Sequence, residues 1–210
     1  MTPSQNVILI DDEADLLKAL RRLLKAEGFQ VTCHQSAADF LAAPRPSGPG
    51  CIVLDESMPG MTGMELQREL VAEGSSLAII FLTARGDIPM SVRAMKAGAV
   101  DFLTKPVKDK NLISTIHTAL KKSLDLQALK KERDNIRQRF ETLTDREREV
   151  LQNVVKGLPN KQIAALLGLV EQTIKVHRSR VMAKMRADSL AQLVLLSERL
   201  GITGQQSEAI

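Results

Sequence analysis

Short, unbroken apolar runs alternate with amphipathic stretches through the first half of the chain. Val7 to Ile10 is the first run, and a pattern with apolar residues at three-and-four spacing follows from Ala14 to Ala26, stopping at Gly28. An all-apolar run of this length suits a strand buried on both faces, and the three-and-four spacing suits a helix with one buried stripe. The alternation continues with a strand from Gln30 to His34, a short helix from Ala37 to Ala42, and a strand from Cys51 to Leu54 after the Pro/Gly-rich turn at residues 44–50. Next come a helix from Gly63 to Ala72, a strand from Leu77 to Leu82, a helix from Pro89 to Ala97, a strand from Val100 to Leu103 and a helix from Asn111 onward. Five strand–helix alternations predict an α/β domain, a doubly wound parallel sheet with helices on both faces. In such a sheet chemistry collects beyond the carboxyl ends of the strands.

From about Lys108 the helical pattern barely pauses until Phe140. Leu126, Leu129, Ile136 and Phe140 recur at helical spacing among dense charges, with no Gly or Pro. That composition predicts a stiff linker helix over residues 123–142; a flexible charged tether is the alternative. Beyond it, residues 143–202 read as a compact all-α domain of four helices, with helix starts at Thr144-Asp145, Pro159-Asn160, Glu171 and Ser189. The closing residues from Gly201 read as frayed.

Composition agrees with two domains: 210 residues with 44% hydrophobic content can build two modest cores. Charge is placed unevenly. Residues 1–122 balance 14 basic against 14 acidic side chains, so the net +4 belongs to the remainder, with 15 against 11. A basic surplus confined to one small domain permits a nucleic-acid partner. Cys33 and Cys51 are too few for a disulfide framework and sit in or beside strands as packing residues. There is no Cys/His spacing of a zinc site, no signal pattern and no long apolar run, so the expectation is a cytoplasmic protein with free thiols and no membrane partner.

The polar residues that follow the strands carry the candidate chemistry. Asp11 and Asp12 follow the first strand, Asp55 the third, Thr83 ends the fourth, and Lys105-Pro106 follows the fifth. Carboxylates converging on one sheet edge repel one another unless a hard cation joins them, and oxygen ligands with water suit Mg2+. Such a site also holds a phosphoryl group, with Lys105 as a point positive charge and Thr83 as a hydroxyl donor. An aspartyl nucleophile after a strand also serves magnesium-dependent phosphohydrolases, but these generally need a second Asp two residues on, where this chain has Ser57.

The acidic pair, Asp55 within Val-Leu-Asp-Glu-Ser-Met-Pro-Gly-Met-Thr-Gly, Thr83-Ala84 and Lys105-Pro106 together resemble the receiver domain of two-component response regulators. The resemblance covers roughly residues 5–122, with the domain set at 1–122, and implies the five-stranded, flavodoxin-like fold. It also implies that Asp55 is the phosphoacceptor for a sensor histidine kinase. Asp12, Asp55 and the Ser57 carbonyl would bind Mg2+, with Asp11 assisting through water; Thr83 and Lys105 would contact the phosphoryl oxygens. Phe102 would be the aromatic switch residue, standing where many receivers have tyrosine. That substitution and the run Gly86-Asp87-Ile88-Pro89-Met90 through Ala94-Met95-Lys96-Ala97-Gly98-Ala99 resemble the FixJ-like subgroup. Lys105-Pro106 is a candidate cis peptide.

In the basic half, the helix opening at Asn160 closes at Gly168, and a further helix begins at Glu171. That is the helix-turn-helix arrangement, whose second member enters the major groove. Wheel spacing puts Ile174, Val181 and Met185 on the core face and leaves Gln172, Lys175, Val176, Ser179 and Ala183 outward. Lys175 suits guanine, Gln172 adenine and Val176 a thymine methyl, whereas Lys161, Thr173, Arg178, Arg180, Lys184 and Arg186 suit phosphates. His177 reads as a packed imidazole at the rim of the core. Thr173-Ile174-Lys175-Val176-His177-Arg178-Ser179-Arg180 with Lys184-Met185 resembles the LuxR-type domain of FixJ/NarL response regulators, with Arg186 where a small residue or Asn is more usual. The resemblance implies a transcription regulator rather than an enzyme. Phosphorylated, it would form a homodimer on promoter DNA and activate transcription with RNA polymerase as partner. The rival readings are the phosphohydrolase and a kinase-independent structural DNA binder.

Overall fold

The computed structural model describes residues 5–46, 48–84 and 88–202. Five strands, β1 (Asn6–Ile10), β2 (Gln30–His34), β3 (Gly50–Leu54), β4 (Ala78–Thr83) and β5 (Asp101–Thr104), form one parallel sheet in the order β2-β1-β3-β4-β5. The apolar runs become strands because helices cover both faces, so β3 and β4 are buried at every residue. On one face α1 (Ala14–Ala26) and the start of α5 (Asp109–Glu141) enclose Leu9, Leu24, Val53, Ile80, Leu112 and Ile116. On the other, α2 (Ala37–Ala42), α3 (Gly63–Ala72) and α4 (Ile88–Lys96) cover Ile8, Ile52, Leu54 and Phe81 with Phe40, Leu66, Leu70 and Ala94. Along β1, β3 and β4 side chains alternate between the two cores, which is the period-two consequence of burial on both faces. The expected run at Gly86 and Asp87 and the chain end from residue 203 lie outside the described residues.

The chain divides into two compact units, 1–128 and 129–210. Of the stretch expected as a linker over 123–142, all but Thr142 belongs to α5, one continuous helix that spans the boundary between the units. Ser123 is fully buried in the first unit, where its hydroxyl donates to the Ser76 carbonyl (2.8 Å) and accepts from the Gly50 amide (3.0 Å). Ile136 and Phe140 belong to the core of the second unit.

That second core is closed by α6 (Asp145–Val155), α7 (Asn160–Leu167), α8 (Glu171–Met185) and α9 (Leu190–Arg199), around Leu143, Val150, Leu151, Ile163, Ile174, Val181, Met185 and Leu193. Local chemistry sets the helix ends. Thr144 and Glu147 form a reciprocal capping box at α6, and Ser189 caps α9. Gly168 ends α7 in the left-handed region (φ 65°), turning the chain into α8. Arg186 ends α8 in the same region (φ 55°) and is the one non-glycine with positive φ among the described residues. Glycine or asparagine adopts that conformation at lower cost, which explains why a small residue or Asn is usual there.

Candidate functional site

The sheet register decides which polar groups meet. Ile10 pairs with Leu54, and the ladder continues one step further: the Asp55 amide donates to the Ile10 carbonyl (2.8 Å) and the Asp11 amide to the His34 carbonyl (3.2 Å). Asp11 and Asp55 thus leave adjacent strands side by side where the strand order reverses, the usual location of sites in open α/β sheets. Across the sheet Thr83 pairs with Thr104, and the Lys105 amide donates to the Thr83 carbonyl (2.8 Å). The Lys105–Pro106 bond is cis, as expected. From there the Lys105 ammonium reaches back to Asp11 Oδ2 (2.7 Å), Glu13 Oε1 (3.0 Å) and Asp55 Oδ1 (3.3 Å).

Asp11 and Asp55 are buried, whereas Asp12 is exposed beside them. Burial raises the Asp11 pKa above the ordinary carboxylate value, against the pull of its hydrogen bonds from Lys105 and the Glu13 amide and of the lysine charge. The negative charge of Asp55 adds to the rise. For Lys105 burial acts downward, but its hydrogen bonds to Asp11 and Glu13 and the charges of Asp11 and Asp55 win, so its pKa is raised. One ammonium therefore leaves the cluster with uncompensated negative charge. All its acceptors are oxygens, and that donor set fits a hard divalent cation such as Mg2+, held by one or two carboxylates and keeping several waters. Among the described residues no three acidic, His or Cys side chains form a ready coordination cage, so main-chain oxygen and water would complete the shell.

Around this cluster, the Ser57 amide donates to Asp55 Oδ2 (3.0 Å), which folds the loop back over the carboxylate. Thr83 is buried at the end of β4, and the half-buried Phe102 ring lies 5.9 Å from that of Phe81. Gly63, the first residue of α3, sits so close that an added Cβ would lie 2.4 Å from the Asp55 carbonyl oxygen. Two neighbours thus escaped sequence reasoning. Glu13 carried a signal in its place directly after the acidic pair; Gly63 closes the motif around Asp55, but only the fold shows that α3 packs against the Asp55 loop.

In the second unit Ile174, Val181 and Met185 are fully buried, and Gln172, Lys175, Val176, Ser179 and Ala183 are exposed, as the wheel predicts; Arg180 is exposed as well. Lys161 is exposed on α7, and Thr173 is half-buried on α8. Lys175 makes only a loose, exposed contact with Glu171 (3.5 Å). Arg178 donates to Asn160 Oδ1 (3.1 Å), tying α8 to α7. His177 is half-buried, with its Nδ1 shielded and without a hydrogen-bond partner among the described residues.

Lys184 has partners that its sequence position did not announce. Its ammonium donates to the buried Glu147 carboxylate (2.6 Å) and to the Thr142 carbonyl (3.0 Å), so it is engaged within the domain. Glu147 also accepts from the Thr144 amide (2.9 Å). Burial acts to raise its pKa, but the Lys184 hydrogen bond, the Thr144 amide, the lysine charge and the Thr144 hydroxyl outweigh it, so Glu147 titrates below the ordinary glutamate value.

Residues 7–117 match the family described as response regulator receiver domain, and residues 141–197 match the bacterial regulatory proteins of the luxR family. The chain is a two-component response regulator. Its output domain is a LuxR-type DNA-binding domain, and the family is one of transcription regulators, not enzymes. The response regulator is 42% identical over 202 residues to Nodulation protein W of Bradyrhizobium diazoefficiens, covering 96% of this chain and 89% of the other. It is 44% identical to the Transcriptional regulatory protein FixJ of Rhizobium meliloti, covering 91% and 94%. Among solved structures it is similar to the response regulator StyR, with a TM-score of 0.72 and 45% identity over 93% of this chain and 99% of the other. Full-length FixJ from B. japonicum gives a TM-score of 0.54 at 38% identity, over 94% and 97%. No helix among the described residues is long and apolar enough to cross a membrane.

Proposed function

We propose that this response regulator is switched by phosphorylation of Asp55, with a sensor histidine kinase as donor, and that the phosphorylated form dimerises on promoter DNA to activate transcription. The observation that carries the proposal is the cluster itself: at the carboxyl edge of the sheet, Lys105 stands between the buried Asp11 and Asp55 carboxylates. Asp55 is assigned as the nucleophile by its place directly after β3 in the receiver-like motif, and its contact with Lys105, among the oxygens suited to hold Mg2+, supports that assignment. Asp12, Asp55 and the Ser57 carbonyl would hold the metal with Asp11 behind water; Mg2+ when bound neutralises phosphoryl charge. Lys105 and Thr83 are the groups assigned to the phosphoryl oxygens.

Phe102, half-buried beside Phe81, is assigned the role of reporting on Thr83. The partner surface is α4 with β5. Ile88, Val92 and Met95 are exposed on α4 at positions that share one helical face, an apolar stripe suited to a second copy of the chain. A twofold dimer offers two α8 helices to half-sites about one helical turn apart, so the DNA site is an inverted repeat. RNA polymerase is then the partner that activation requires. A coupling of about 1–3 kcal/mol, roughly 5- to 150-fold in dimer affinity, suffices for control.

The test is labelling with acetyl phosphate and Mg2+, followed by sedimentation and DNA titration. One label is expected, at Asp55, together with a gain in mass and in DNA affinity. Labelling that persists in Asp55→Asn, or phosphorylation that leaves mass and affinity unchanged, refutes the proposal.

A further inference from the structure

Glu13 takes no part in the assignments above, yet its carboxylate accepts a hydrogen bond from the phosphoryl-binding lysine. The Lys105 ammonium has three N–H donors and faces three carboxylates, with hydrogen bonds to Asp11 and Glu13 at 2.7 and 3.0 Å and an ion contact to Asp55 at 3.3 Å. All the charge it offers is thus already claimed. A phosphoryl oxygen on Asp55 must displace one of these partners, and their surroundings decide which. The Asp11 and Asp55 side chains are 5% and 6% exposed, whereas that of Glu13 is 62% exposed and can exchange the lysine for water at little cost. Glu13 is also the partner whose release leaves no buried carboxylate bare.

We infer that Glu13 is a gate on Lys105: it competes with the incoming phosphoryl group for the ammonium, and so slows phosphorylation and weakens retention of the phosphoryl group. This rests on Asp55 being the phosphoacceptor. In the reaction an Asp55 carboxylate oxygen attacks phosphorus and forms the new P–O bond, while the P–O bond to acetate breaks and acetate departs with its electron pair. Glu13 touches neither phosphorus nor the leaving group; it is a positioning residue acting through Lys105.

The side chain can be changed without disturbing the fold. Glu13 is the N-cap of α1, but its side chain makes no capping bond. Its two structural hydrogen bonds are main-chain ones, from its amide to Asp11 Oδ1 and from the Leu17 amide to its carbonyl. Three full-length variants test the gate. Glu13→Ala removes both charge and reach; Glu13→Asp keeps the charge but is one methylene shorter. Glu56→Gln removes the same charge from the residue next to Asp55, where the Glu56 carboxylate contacts Ser57 rather than Lys105.

The readouts are the rate of Asp55 labelling by acetyl phosphate with Mg2+ and the affinity for beryllofluoride followed by amide chemical shifts. Glu13→Ala and Glu13→Asp should both raise rate and affinity, by about two- to five-fold, the range of an exposed ion pair. Glu56→Gln should stay near the wild type. A gain in Glu56→Gln equal to that of Glu13→Ala, with none in Glu13→Asp, overturns the gate in favour of diffuse charge repulsion. Unchanged Glu13 variants, with Asp55 still the sole labelled residue, overturn the gate alone; labelling elsewhere than Asp55 overturns the phosphoacceptor assignment beneath it.

Discussion

Lys184→Ala separates two readings of one side chain. By sequence, a lysine near the end of a recognition helix meets DNA phosphate; by structure, it neutralises Glu147, whose side chain is 3% exposed. Truncation would leave that carboxylate buried with the Thr144 amide and hydroxyl as its local partners among the described residues. Breaking a fully buried ion pair from one side costs about 3–5 kcal/mol. The Lys184 side chain is 35% exposed, so water reaches the vacated position, and about half that cost, roughly 2 kcal/mol, is the appropriate figure. For a domain of this size that corresponds to a fall of roughly 10 °C in the melting temperature of the second unit.

The loss should depend on pH. Because the folded Glu147 pKa is depressed, its contribution is fully present above the unfolded glutamate value and disappears as pH falls through the folded value. Amide hydrogen exchange along α6 and α8 in the full-length chain, at neutral pH and under acid conditions, measures both effects. DNA titration over a salt series completes the assay: a phosphate ligand would take about 0.9 from the salt slope when removed, an internal partner nothing. Unchanged protection together with a shallower slope would refute the structural reading.

Gly63→Ala forces a Cβ to within 2.4 Å of the Asp55 carbonyl oxygen and should cost about 1–3 kcal/mol while slowing Asp55 labelling, which denaturant titration and phosphate-affinity gels would reveal. Ser123→Ala strips the buried Gly50 amide of its acceptor, for an expected loss of about 1–3 kcal/mol in the first unit and faster exchange at β3. On DNA, Lys175→Ala should relax preference at one base position at a cost of about 1–3 kcal/mol, whereas Arg180→Ala should weaken all sequences alike and flatten the salt dependence. Arg186→Gly relieves a left-handed conformation and should raise the stability of the second unit by roughly 1 kcal/mol, read as a higher melting temperature.

Much of the architecture is local and was therefore legible. The helices from Ala14 to Ala26, from Ala37 to Ala42 and from Gly63 to Ala72, and the strand from Gln30 to His34, begin and end where their periodicity does, because burial on one or both faces writes the pattern directly. Strand boundaries elsewhere moved by a residue, since hydrogen bonding to a neighbour, not side-chain pattern, decides where pairing stops. The buried face of α8 was likewise readable from spacing alone.

Pairings between residues far apart in sequence were decided by tertiary structure. Spacing placed Asp11, Asp55 and Lys105 at one edge, but only the parallel register beside β1 and β3 sets the two carboxylates side by side, and only the path of the β5 loop brings in a lysine 94 positions from Asp11. The same holds for Glu13 as a third partner of that lysine, for Ser123 joining the start of β3 to the loop before β4, and for Lys184 bonded to a glutamate 37 positions away. A charge in a sequence carries no record of how much water remains around it. Burial of Asp11 and Glu147 is a property of the packed molecule, and it is burial that turns a common ionic residue into a partner that must be satisfied.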